Sequence, residues 1–112
     1  MTAPVRVAPF GDQSDLLCPR CHDRGNLHHR RVEVFYRAED ARAVRLIAIE
    51  AGQIIALGDV PNDWSANPSL RRDGICIHFD CEQCGDGLIF NVAQHKGNTF
   101  LSWTIEPVRA ES

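Results

Sequence analysis

The segment Gly74-Ile75-Cys76-Ile77-His78-Phe79-Asp80-Cys81-Glu82-Gln83-Cys84-Gly85 decides how this chain is read. Its first seven residues alternate, with Ile75, Ile77 and Phe79 on one side, which is the pattern of a strand. The strand runs straight into a Cys-x-x-Cys turn, and Gly85-Asp86-Gly87 and a second strand pattern follow it. A treble-clef arrangement would place the first turn of a helix there. A cysteine turn flanked by strands predicts a β-sheet framework.

A second turn of the same kind, Cys18-Pro19-Arg20-Cys21, lies near the start of the chain. Four thiolates in two pairs match the tetrahedral, sulfur-rich site that Zn2+ prefers, so Cys18, Cys21, Cys81 and Cys84 are the predicted ligands. Backbone N–H groups of each turn stabilise the thiolate charge. Four sulfurs leave no open position for water or substrate, which makes the zinc structural. The separation of the pairs exceeds the common ribbon spacing of roughly 15–20 residues, so the intervening strands and loop read as an insertion between two knuckles. Such an insertion costs little, because closure entropy grows only logarithmically with length. The expected fold is mainly β: a small antiparallel, zinc-ribbon-like sheet with two zinc knuckles. A rubredoxin-like iron centre uses the same ligands and the same Cys84-Gly85 turn, so iron electron transfer is a further reading. His22 and Cys76 are the alternative ligands, although Cys76 within Ile75-Cys76-Ile77 otherwise reads as a small buried residue.

With 112 residues the chain makes one domain, expected over 16–108 after an irregular arm at 1–15 that carries Pro4, Pro9 and Gly11. A core of this size is modest, and a metal staple contributes heavily to its stability. No apolar run approaches the roughly 20 residues that span a bilayer. The N-terminus lacks an apolar signal core. Paired cysteines in a reducing cytoplasm bind metal more often than they form disulfides, and an odd count of five also opposes a disulfide framework.

Strand patterns run over Leu27 to Ala38, Ala43 to Glu50, Ile54 to Leu57, Gly74 to Asp80, Leu88 to Gln94 and Thr99 to Ile105. Val32, Val34 and Tyr36 share one side of the first, and Arg31, Glu33, Phe35 and Arg37 the other. His95-Lys96-Gly97-Asn98 signals a hairpin. Residues 59–73 form a long irregular segment. Trp103 and Phe100 are read as core.

Net charge is −3, and a Zn(Cys)4 centre takes the folded chain to about −5, which is unfavourable for non-specific nucleic-acid binding. The charge is uneven. Arg20, Arg24, Arg30, Arg31 and Arg37 follow the first knuckle with His22, His28 and His29, while acids dominate later. The dipolar surface suits protein recognition. Arg20, Arg24, Arg30, Arg31 and the loop residue Trp64 are the predicted partner contacts. His78 and Asp80 share a strand side, but no nucleophile or open metal completes an acid–base site, so the chain reads as non-enzymatic.

The stretch 72–84, with Gln94-His95-Lys96-Gly97-Asn98-Thr99-Phe100-Leu101-Ser102-Trp103 and Leu17-Cys18-Pro19-Arg20-Cys21, resembles small zinc-ribbon proteins of bacterial phages and integrated mobile elements. The resemblance implies a bacterial cytoplasmic setting and a protein that modulates host machinery or defence. The leading expectation is a zinc-stabilised module that binds a protein partner, as a monomer or homodimer. A nucleic-acid-binding ribbon is the alternative.

Overall fold

The computed structural model describes residues 1–107, the side chain of residue 64 apart. Among them, nine strands form: β1 (Thr2–Ala3), β2 (Val7–Phe10), β3 (Gln13–Leu16), β4 (Leu27–Tyr36), β5 (Ala43–Glu50), β6 (Gln53–Pro61), β7 (Gly74–Cys81), β8 (Gly85–His95) and β9 (Asn98–Ile105). The one helical element described is a 3-10 turn at Asn62–Trp64, and no described helix is long and apolar enough to cross a membrane. Strands β4 to β6 and β7 to β9 are two meanders. They join through an antiparallel β4–β7 pair into one seven-stranded sheet, in the order β1-β9-β8-β7-β4-β5-β6. Two hairpins turn through Ala51-Gly52 (φ 53° and 75°) and Lys96-Gly97 (φ 49° and 81°). Both central residues are left-handed, as a type I′ turn requires, and that turn matches the twist of the strands it joins.

The residues between the cysteine turns are therefore not an excursion from a small ribbon. They supply β4, β5, β6 and most of β7, the greater part of a broad sheet. The N-terminal residues also depart from the expected irregular arm. β1 pairs with β9 (Ala3 opposite Trp103), and β2 and β3 form a separate hairpin (Val7 opposite Leu16). Strands of two and four residues are too short to display a period. Pro9 fits the isolated hairpin because every strand there is an edge.

Register divides the sheet into two sides. On the first, Glu33 faces Cys76 and Ala48, Phe35 faces Gly74 and Leu46, and Cys76 faces Asn91. Phe35, Val44 and Cys76 are buried there against Leu46, Val60 and Ile89. The core side of β4 is thus the one carrying Glu33 and Phe35, while Tyr36 is exposed. Glu33 tolerates burial because His78 Nε2 lies 2.6 Å from one carboxylate oxygen and Arg31 donates to the other at 3.2 Å. The hydrogen bond to His78 outweighs desolvation and holds the Glu33 carboxyl below its ordinary range.

The segment after β6 is an ordered strap across this side. Ser69 Oγ donates to the Gln94 carbonyl (2.7 Å), and Arg37 donates to the carbonyls of Ala41 (2.7 Å) and Leu70 (2.8 Å). Arg71 Nε donates to Asp40 (2.8 Å). Asn67 and Pro68 sit directly on the backbone of Gly74, where a Cβ would approach Pro68 Cδ to 2.7 Å. Gly74 is required there for close approach, not for a special φ.

The second side has a core only at the cysteine end. Trp103, fully buried, meets Phe79 and Phe90 edge-on at centroid distances of 5.7 and 5.3 Å. Ala3, Val5 and Leu16 from the N-terminal segment close over this cluster. Phe100, three residue pairs further along the hairpin and on the other side of the sheet, is exposed rather than core. Gly74→Ala is expected to cost about 1–3 kcal/mol by forcing the strap off β7 and to lower the melting temperature by at least about 5 °C. Thermal denaturation followed by circular dichroism checks this, and an unchanged melting temperature would show that the strap does not bear on the sheet.

Candidate metal centre

Both cysteine turns lie at the same end of the β4–β7 pair. Leu27, which opens β4, faces Cys81, which closes β7, and the Glu82 amide donates to the Asn26 carbonyl at 3.0 Å. The first turn is closed by the His22 amide on the Cys18 carbonyl (2.9 Å) and the Cys18 amide on the Asp23 carbonyl (3.2 Å). The residues that follow the two pairs, His22 (φ 62°) and Gly85 (φ 83°), are both left-handed. Glycine adopts that conformation freely, and histidine is among the residues enriched in it. His22 thus continues the turn, outside the cluster of ligand atoms, and Cys76 belongs to the separate core beside Phe35.

The sulfurs of Cys18, Cys21, Cys81 and Cys84 lie within 4.8 Å of one another, and Cys21 Sγ is 3.9 Å from Cys81 Sγ. A tetrahedron with metal–sulfur bonds of about 2.3 Å has edges of about 3.8 Å, so the cluster can hold one metal ion. Cys18 and Cys81 are buried, and Cys21 and Cys84 are half-buried. Burial raises the Cys18 thiol above its ordinary range. Burial, with the neighbouring thiols, pushes Cys84 up to about 12. At Cys81 burial is outweighed by the backbone amides of Gln83 and Cys84 together with the Cys18 and Cys21 thiols, and its thiol is lowered. Crowded sulfurs resist ionising together without a cation, and a bound dication removes that penalty and releases their protons.

Arg20 braces the site from outside. Its Nη1 donates to the carbonyls of Cys84 (3.0 Å) and Asp86 (2.8 Å), and its Nη2 to that of Glu106 (2.7 Å). One guanidinium from the first turn therefore holds the second turn and the end of β9. The other predicted contacts are dispersed. Arg30 is exposed and bridges Glu50 (2.9 Å) and Asp80 (3.4 Å). Arg31 pairs with Glu33, and Arg24 is exposed in the loop after the first turn. The side chain of Trp64 lies outside the described residues. Of the predicted site residues, the fold brings together the four cysteines with Arg20 beside them. His78 turns to Glu33, and Asp80 to Arg30. The sequence reading missed the bracing role of Arg20 and the burial of Glu33. Arg20 sits between two ligands, a signal available in the sequence, but its acceptors come from residues remote in the chain.

No protein-family model, curated protein or solved structure matches this chain.

Cys81→Ser is expected to abolish stoichiometric metal binding and collapse the melting transition, because binding energy at such a site is folding energy. Metal analysis and calorimetry of the purified variant check this, and a chelator is expected to produce the same collapse in the native chain. Arg20→Met, which keeps the length of the side chain, should weaken metal affinity about 10-fold, measured by competition with a chromophoric chelator. Undiminished affinity would make Arg20 a surface residue only.

Proposed function

We propose that this chain is a non-enzymatic, zinc-stapled module that recognises a protein through one side of its sheet. The metal assignment rests on the donor set: four cysteine sulfurs, tetrahedrally spaced, with none of the oxygen or histidine donors of an open catalytic site among them. Such a centre holds structure and leaves recognition to the surface.

The observation that carries the functional reading is an apolar sheet side beyond the Trp103 cluster. Ile49, Ile54, Ile55 and Leu57 on β5 and β6, and Leu101 on β9, are all exposed, with Ile54 at 64% and Leu57 at 59%. Contiguous apolar surface of this kind, unlike scattered exposed residues, marks an interaction site. Of the four arginines expected to contact nucleic acid, three are already engaged, Arg20 with carbonyls and Arg30 and Arg31 with carboxylates, and Arg24 alone stays exposed in its loop. That supports protein over nucleic acid as the partner.

Purified native protein is expected to be colourless with one zinc per chain, and an iron chromophore would replace this reading with electron transfer. Tagged protein treated with nuclease and high salt should keep a protein bound, its own copies included. The Ile54→Arg/Leu57→Arg variant, with metal intact, should lose it. Capture of nucleic acid alone, released as salt rises, would install the nucleic-acid reading instead.

A further inference from the structure

We infer that the occupant of this apolar side is a second copy of the chain, so that two sheets pack face to face as a β-sandwich; this rests on the reading of that side as a protein-binding surface.

Strand register assigns its members. Val32 and Val34 on β4 face Ile77 and Ile75 on β7, while Ile49 and Ile47 on β5 face β4 from the other flank. Ile77 and Ile75 in turn face Phe90 and Val92 on β8, and Val92 faces Leu101 on β9. A bulge after Ala48 leaves Ile54 and Ile55 together opposite Ile49, which adds one more apolar side chain at the β6 margin. The patch thus crosses six strands without a charged residue among these positions. Val32, Val34, Ile75, Ile77 and Val92 are only half-buried, and Ile49, Ile54, Ile55, Leu57 and Leu101 are exposed.

Three features favour a second copy. The first is area. Five of these side chains are 42–64% exposed, and with the half-buried positions between them they form a face on the scale of the roughly 800 Å² per partner that a stable interface buries. The second is electrostatic. At the end away from the metal the patch is bordered by Arg45 with Asp59 and by Gln94 with Thr99, each pair joined within the chain (3.4 and 3.1 Å). The patch inside this border holds no charged side chain, so an identical face meets it there without desolvating an ion, and the exposed Lys96 stays at the rim. The third is shape. Two sheets of one twist stack aligned at about 30°, roughly 10 Å apart. A depression of about 700 Å³, lined by Val34, Ile75 and Val92 and also by Arg72, Asp73 and Lys96, gives room for side chains from the opposite layer. The contact is isologous, so it closes at two copies.

Sedimentation equilibrium of the zinc-loaded full chain tests this. The native protein should be a dimer at micromolar concentration. Ile54→Arg/Leu57→Arg should raise its dissociation constant at least 100-fold while zinc content and melting cooperativity persist. Leu101→Arg, on the opposite margin, should do the same, which guards against misfolding of either variant. Three outcomes overturn the sandwich. A native monomer that captures a different protein through Leu57 leaves the binding face standing and removes only the second copy. A native monomer that captures nothing through that face removes both readings. A dimer indifferent to all three arginines shows that the copies meet elsewhere, such as along the β6 edge.

Discussion

The antiparallel pairing of β4 with β7 is the constraint on which the rest of the structure depends. Among the described residues it is the only strand pair that joins the two meanders. It also sets the start of β4 beside the end of β7, so that the two cysteine turns meet. A metal ion held by the four clustered cysteines would close a loop spanning more than half the chain. In a chain that buries few large side chains completely, such a closure substitutes for core that the sequence does not supply.

The two sides of the sheet solve the covering problem differently. The side carrying Phe35, Val44 and Cys76 is covered by the strap after β6, held by Ser69, Arg37 and Arg71. The other side is covered by N-terminal residues only near the clustered cysteines. A sheet buries its apolar face against a second layer. The uncovered part is where the chain's recognition surface is proposed, and the metal's role in that proposal is to fix the sheet that presents it.

The location of the strands was legible because alternation of β-branched and aromatic residues is a local property. β4, β5, β7 and β9 fall where the pattern places them. The two cysteine turns were legible too, since Cys-x-x-Cys turns announce their own geometry. Which side of β4 faces a core was not. Val32, Val34 and Tyr36 look like the buried set, yet Glu33 and Phe35 occupy the covered side because the strap lies there and His78 and Arg31 satisfy the carboxylate. The strands of the N-terminal segment were hidden by their brevity.

The sequence by itself determined the β character of the chain, the hairpin turn at 95–98 and the two Cys-x-x-Cys turns, because each depends on residues within a few positions of one another. Tertiary structure alone decided that residues 22–80 build most of a single broad sheet, that Arg20 braces the metal turns, and that an apolar side is left exposed. Those outcomes depend on which strands pair and in what register. Pairing is a contest among non-local contacts, and no window of sequence contains both partners.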